Sequence, residues 1–318
     1  MTALQIFQPA SVEEAITLLA ASPMPVESPT QRRIRGAMHL KDTFGSGRRR
    51  PAWVWAVREA ADPTPLGVVA AFGVEAPGDR ILVLDHFGLP ADLVAARTLV
   101  AHATAEVVAG GADEAGIFAP TDVSLDDPSL AALSDPLRAA GWRLLVERRH
   151  YEFEPPRGLA DGVPTKLFLE QPTGPDDPRL AACHREVMRE TLDAHDAALI
   201  EKVGFEQACR ESLAFLLDSD PVECIRLATD PAGDLVGLVS GRLMPSGRAF
   251  VLFVGVCRDH RGRGYGRELL AWQTRELVAS GATTLIADTD NANVPMARAF
   301  ADVGWPQTET RIDLVHEG

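Results

Sequence analysis

Tyrosine and cysteine, the side chains most used for phenol and thiol chemistry, are scarce: 318 residues hold two tyrosines, Tyr151 and Tyr265, and four cysteines. Cys183, Cys209, Cys224 and Cys257 form no C-x-x-C pair, which excludes a zinc knuckle or a redox dithiol and fits reduced thiols. No grouping of His, Cys and carboxylates marks a metal site. Long apolar runs are missing too; Leu66 to Val74 falls far short of the roughly 20 residues of a membrane helix. The amino terminus sets Glu13 and Glu14 before a small apolar stretch and lacks the basic start of a secretory leader, so a soluble, cytoplasmic chain is expected. Basic charge is short as well, 31 Lys and Arg against 45 Asp and Glu, a net charge of −14. That balance argues against a nucleic-acid partner, whose phosphates need surplus cations, and suits a cationic or amine-bearing one. Neither half is a basic arm: 14 basic and 20 acidic residues precede Arg157, and 17 and 25 follow from it on.

What is present is enough apolar residue, 46%, to bury two cores. The chain also repeats itself. Asp62-Pro63 with Leu66-Gly67-Val68-Val69 matches Asp230-Pro231 with Val236-Gly237-Leu238-Val239, and Gly110-Gly111-Ala112 matches Ser280-Gly281-Ala282, at offsets of 168 to 170 residues. Leu137 to Trp142 matches Phe300 to Trp305 in the same order. Ordered matches of this kind indicate a tandem duplication. The boundary falls in the turn-rich stretch Pro155 to Pro164, giving domains 1–156 and 157–318. In the second copy the spacing predicts a strand over 165–170, helices over 178–193 and 205–217, and strands over 223–229, 235–244 and 249–256. A helix over 264–280, a strand over 284–288, a helix over 294–303 and a strand over 310–315 follow. Hairpins mixed with crossover helices make each copy an α+β unit with a mixed, mostly antiparallel sheet flanked by helices. In the first copy, Gln31 to Arg50 reads as an exposed loop with a solvated run at Arg48-Arg49-Arg50.

The chemistry concentrates in Val251 to Leu270. A buried strand runs into a loop with glycine at 262, 264 and 266, and the loop opens a helix marked by Leu269, Leu270 and Leu277. Glycines let backbone approach a ligand closely, and loop amides with the first free N–H groups of a helix converge on an anion. Arg258, Arg261, Arg263 and Arg267 crowd into ten residues, against the overall acidity, which suggests a pyrophosphate. A P-loop would need Gly-Lys followed by Ser or Thr, and a Rossmann loop would set G-x-G-x-x-G directly at the strand end; neither fits.

Arg261-x-x-Gly264-x-Gly266 resembles the acetyl-CoA loop of the GCN5-related N-acetyltransferase (GNAT) superfamily. Asn293-Val294-Pro295-Met296, Phe300 and Gly304-Trp305 look like that superfamily's next motif. The resemblance covers residues 165 to 315 and, more weakly, 50 to 155, which implies two tandem acyl-CoA N-acyltransferase domains of the mycothiol-synthase type. It implies that the backbone of Val254, Gly255 and Val256 pairs with the pantetheine arm of acetyl-CoA. Arg261, Gly262, Arg263, Gly264, Tyr265, Gly266 and Arg267 are then expected to hold the pyrophosphate and Asn293 to contact the cofactor arm. In the first copy Leu84 to Asp92 replaces the loop, with one glycine, a proline and no arginine, so phosphate binding there is expected to be poor.

Acyl transfer to an amine needs a neutral amine, a stabilised oxyanion and a protonated leaving thiolate. The tyrosine that often serves the superfamily as acid is replaced by Phe300, and its glutamate base by Phe250. Asp288 and His195 are the catalytic candidates, with Asp290, Glu190, Asp193, Asp196 and Glu201 nearby in sequence. The expected activity is acetyl transfer from acetyl-CoA to a primary amine of a small molecule, by a monomer or homodimer without a metal. The alternatives are acetylation of a protein amino terminus or lysine, and a catalytically inactive acyl-CoA sensor or structural module.

Overall fold

The computed structural model describes residues 3–74, 80–156 and 165–316. Two compact units emerge, Met1–Glu147 with Glu309–Gly318, and Arg148–Thr308. In chain order the first repeat runs β1 (Leu4–Phe7), α1 (Val12–Ala21), α2 (Pro29–Arg35), α3 (Ala37–Gly45), β2 (Val54–Glu59), β3 (Pro65–Val74) and β4 (Arg80–Gly88). It continues with α4 (Leu93–Ala109), β5 (Glu114–Pro120), α5 (Ala131–Ala139) and β6 (Trp142–Phe153). The second runs β7 (Phe168–Glu170), α6 (Pro178–Met188), α7 (Ala194–Val203), α8 (Phe205–Ser219), β8 (Ile225–Thr229), β9 (Leu235–Leu243) and β10 (Arg248–Val256). It closes with α9 (Tyr265–Ala279), β11 (Thr284–Asp290), α10 (Val294–Val303) and β12 (Gln307–His316).

In the first unit the strand order is β1-β2-β3-β4-β5-β12, antiparallel except for β4 beside β5. Period-two alternation sends Trp55 and Val57 to a core shared with Leu99, Val100 and Ala103 of α4, and Val54 and Ala56 to one shared with Leu19 and Leu40. In the second unit the order is β6-β11-β10-β9-β8-β7, antiparallel except for β10 beside β11. Val251, Leu285 and Ala287 pack with Leu270 and Leu277 of α9 and Phe300 of α10, while Phe253, Leu227 and Leu238 pack with Leu180 and Cys183 of α6. The α+β fold with mixed, mostly antiparallel sheets is therefore as the sequence predicts.

The last strand of each repeat is exchanged. Residues 148–153 of β6 pair with β11 in the second unit, and β12 pairs with β5 in the first. Division by compactness thus differs from division by repeat at 156/157 by one strand each way. Part of the turn-rich boundary stretch, 157–164, lies outside the described residues.

Two local expectations are corrected. The helix predicted over 178–193 stops at Met188, and a separate α7 follows, because Glu190 adopts φ +48° and Asp193 caps the new helix by accepting from the amides of His195 and Asp196. The segment 31–50 is largely helical, and its arginine run is not uniformly solvated. Arg49 is buried, donating both Nη groups to the Asp85 carboxylate at 3.0 and 2.8 Å, since a buried guanidinium needs a paired anion.

Candidate functional site

In the second unit the site forms where two parallel strands part. β10 pairs with β11 only from Arg248↔Thr284 to Phe250↔Ile286. Past that point its other edge still pairs with β9, through Val254↔Val239, Gly255↔Leu238 and Val256↔Gly237, after a bulge at Leu252. From Val251 to Val256, therefore, the β11-facing edge of β10 has no strand partner among the described residues. A row of backbone donors and acceptors left open in this way is a template for an extended amide-bearing ligand. Gly255 is required within this strand, because a Cβ there would lie 2.6 Å from the Val187 and Phe253 side chains.

The strand leads through Cys257 into the glycine loop. Gly262 and Gly264 hold φ +78° and +85°, with no atom within 4 Å of where a Cβ would stand. Gly264 is also the N-cap of α9 and supplies no side-chain hydrogen bond, so the first amides of this 15-residue helix remain uncapped. Tyr265 anchors the helix start, its hydroxyl donating to Asp230 Oδ2 at 3.3 Å.

The arginines divide into two pairs. Arg261 is committed to the protein: Nη2 donates to the Val187 carbonyl at 2.7 Å, Nη1 to that of Glu190 at 2.8 Å and Nε to that of Val256 at 3.2 Å. Arg258 pairs with the Glu190 carboxylate at 2.7 Å. Arg263 and Arg267, by contrast, are exposed at the loop and the first turn of α9. The sequence counts four cations toward an anion, whereas the fold uses two of them to tie the loop to the end of α6. Asn293 caps α10, its Oδ1 accepting from the Met296 amide at 3.2 Å.

Asp288 is a β11 residue paired in register with His150 of β6, whose Nδ1 lies 2.7 Å from Asp288 Oδ1. His195 sits in the first turn of α7 with Nδ1 3.9 Å from Asp193 Oδ1. The two candidates occupy elements joined by one network: Arg148 reaches Asp290 at 2.6 Å and Asp193 at 2.5 Å, and Asp290 Oδ2 accepts from the Ala194 amide at 2.7 Å. Asp196 accepts from the Ser212 hydroxyl at 3.1 Å, and that oxygen lies 3.3 Å from His184 Nε2. Burial pushes the Asp196 carboxyl up to about 6, with Asp193 adding to the rise, and pushes His184 down to about 4. Glu201 is exposed. Phe300 is buried and its ring stacks on Tyr151 at 4.1 Å, where burial raises the phenol pKa. Sequence reasoning missed His150, because it belongs to the first repeat and reaches this unit only through the exchanged strand.

The first unit has the same parting of strands and closes it. β4 and β5 pair at Leu84↔Ala115, and three residues past each lie Phe87 and Phe118. Arg35 donates to the Phe87 carbonyl at 2.9 Å and to Gln31 Oε1 at 2.5 Å, and Gln31 donates to the Phe118 carbonyl at 3.2 Å. Buried Glu309 holds the start of α2 there, accepting from Thr30 Oγ1 at 2.6 Å. At the equivalent of Gly264, Asp92 caps α4 with its own carboxylate, accepting from the Ala95 amide at 2.8 Å.

A parallel pair that parts at a bulge, followed by a glycine loop and an uncapped helix, belongs to a GNAT fold, here present in tandem copies of which one keeps the parted edge open. Residues 184–305 match the model of the acetyltransferase (GNAT) family. A GCN5-related N-acetyltransferase from Sphaerobacter thermophilus has the same fold at 15% identity, with 99% of this chain and 96% of that chain covered and a TM-score of 0.61. A tandem GNAT protein from the clavulanic acid biosynthesis pathway aligns at 18% identity over 98% of each chain, with a TM-score of 0.54. A glucosamine N-acetyltransferase region of a fungal multi-domain β-N-acetylglucosaminidase aligns at 13% identity over 99% of this chain and 38% of that one, with a TM-score of 0.57. No curated protein sequence matches the chain. Among the described residues no helix is long and apolar enough to cross a membrane, and no group of three or more His, Cys, Asp or Glu is placed to hold a metal.

Proposed function

We propose that this chain transfers an acetyl group from acetyl-CoA to a primary amine of a small molecule, using its second unit. The observation that carries the reading is the open β10 edge from Val251 to Val256 running into the loop at Gly262 and Gly264 and the uncapped start of α9. In this reading the backbone of Val254, Gly255 and Val256 pairs with the pantetheine amides. The amides of Gly262 to Arg267 and the exposed Arg263 and Arg267 take the pyrophosphate, Arg261 braces the loop from behind, and Asn293 lies beside the cofactor arm. A backbone amide at the β10 bulge polarises the thioester carbonyl, and Asp288, with His195 on the neighbouring helix, handles the amine proton. The enzyme works in the reducing cytoplasm, where its four free cysteines stay reduced.

The acceptor side carries Asp193, Asp196, Asp288 and Asp290, which favours a cationic amine over a neutral one. Glucosamine is a reasonable first probe in view of the fungal relative's acceptor, with spermidine and an amino-terminal peptide as contrasts. The deciding experiment follows thiol release from acetyl-CoA with each amine. Turnover on a small amine supports the reading, turnover on the peptide alone favours a protein acetyltransferase, and tight CoA binding without turnover on any amine marks a non-catalytic acyl-CoA sensor.

A further inference from the structure

We infer that His150 is a positioning residue that fixes the Asp288 carboxylate as the proton acceptor for the attacking amine; the inference rests on the acetyl-transfer reading above. Asp288 is two residues past Ile286, the last β11 residue paired with β10. At about 3.3 Å per strand residue this places it roughly 7 Å beyond the point where the strands part. Leu285 and Ala287 turn into the core beneath α9 and α10, so alternation turns Ile286, Asp288 and Asp290 to the opposite face. On β6, Tyr151 and Phe153 join that same core, and Arg148, His150 and Glu152 share the face of Asp288.

On that face the two side chains stand one behind the other. The imidazole of His150 is 3% exposed, whereas the Asp288 side chain is 17% exposed. His150 Nδ1 contacts Asp288 Oδ1 at 2.7 Å, and its Nε2 faces Glu152 Oε1 at 3.7 Å. Glu152 is paired in turn with Arg248 of β10 at 2.8 Å. The charges around the ring include Asp288 from β11, Glu152 and Arg148 on β6 and Arg248 on β10, with Asp290 and Asp193 of the α7 cap drawn in through Arg148. An imidazole Nδ1–H donated to one carboxylate oxygen holds the carboxylate in a single rotamer, with the more exposed Asp288 side chain in front of the buried ring.

The ammonium of the substrate gives one proton to Asp288. The freed nitrogen lone pair forms the C–N bond at the thioester carbonyl carbon, and the C–S bond breaks with its electron pair on sulfur. The second amine proton passes to that sulfur and Asp288 returns its proton to water, so the products are one amide, one free thiol and one proton. His150 undergoes no net change.

The test uses the full chain, acetyl-CoA and glucosamine, spermidine and the peptide as probe amines. Asp288→Asn is expected to lower kcat about 100-fold, within the range of a lost general base, with the KM for acetyl-CoA changed less than twofold. His150→Asn, which keeps an N–H donor, is expected to retain kcat within about fivefold, whereas His150→Phe loses about tenfold. Removing the donor also raises the carboxyl pKa, so the acid limb of the pH–rate profile in His150→Phe moves up by about one pH unit. A merely structural role would not move that limb. Full activity in Asp288→Asn, or an unmoved limb in His150→Phe, overturns the inference. Absence of turnover on every amine by the unmodified chain overturns the acetyl-transfer reading instead. The pairing is then decided by nitrogen-15 NMR: an Nδ1–H tautomer of His150 that changes in Asp288→Asn supports it, and an Nε2–H tautomer overturns it.

Discussion

Gln31 and Arg35, one helical turn apart on α2, together span the gap between β4 and β5, one reaching the Phe118 carbonyl and the other the Phe87 carbonyl. They occupy the kind of backbone edge that stays open in β10. Burial lowers the Arg35 pKa to about 10, which leaves it charged at neutral pH and firmly paired. The chain is therefore expected to bind one CoA, not two. Isothermal titration with CoA checks this through its stoichiometry, and a value near two per chain would contradict the closed cleft.

Gly264 and Asp92 hold equivalent N-cap positions, and only Asp92 fills its helix end with a carboxylate. Gly264→Asp places an anion at the proposed phosphate site, in a conformation that costs a non-glycine residue about 1–2 kcal/mol. We expect CoA affinity to fall at least about 100-fold, which is about 2.7 kcal/mol, while the chain stays folded. Undiminished affinity in the same titration would remove the loop from the site.

Arg261 makes three hydrogen bonds to carbonyls of α6, its C-terminal extension and β10. A lysine cannot reproduce that fork. Arg261→Lys should lower stability by about 2 kcal/mol, the scale of one or two lost charge-assisted bonds, and weaken CoA binding about tenfold through the displaced loop. Urea denaturation and the CoA titration read the two effects separately. Retained affinity together with lost stability would show that the brace does not shape the loop.

His184 and Asp196 flank Ser212 and titrate in opposite senses. Asp196 holds its proton to about pH 6 when folded and to about 3.8 when unfolded, so stability drops as pH rises from about 4 to 6. His184 loses its proton near 4 when folded and near 6.5 when unfolded, so stability drops as pH falls from 6.5 to 4. In the intact chain the two slopes oppose one another. Asp196→Asn is expected to be more stable than the parent at pH 7.5 by about 1–2 kcal/mol, discounted for partial solvent access, with the gain gone by pH 4. His184→Gln is expected to lose the acid-side decline. Urea midpoints at pH 4, 5, 6 and 7.5 check both, and parallel profiles would show that the pair is not coupled to folding.

Local signals carried the fold. Paired glycine stops at 110–111 and 281, period-two strands and the R-x-x-G-x-G loop are short-range patterns, and each stands where its spacing predicts. Side-chain commitments made across the fold did not show. Nothing in Arg48-Arg49-Arg50 says that the middle residue is buried against Asp85, 36 residues away. Likewise, nothing near Asp288 points to His150, since strand partners chosen across 138 residues leave no periodic trace. Helix α7 was hidden for a different reason. None of its residues is fully buried, so it carries no strong apolar stripe, and its start is marked by the Asp193 cap and the positive φ at Glu190.

The exchange of β6 and β12 ties the two repeats into a single heritable unit. A gene fragment encoding 157–318 would lack the strand bearing His150, Tyr151 and Glu152, leaving the outer edge of β11 bare. It would also carry a β12 whose pairing strand, β5, has been left behind. Bare strand edges invite aggregation. The copy whose own cleft is plugged by Gln31 and Arg35 therefore cannot be shed by deletion without unmaking the other. Its retention follows from topology, even where it binds nothing itself.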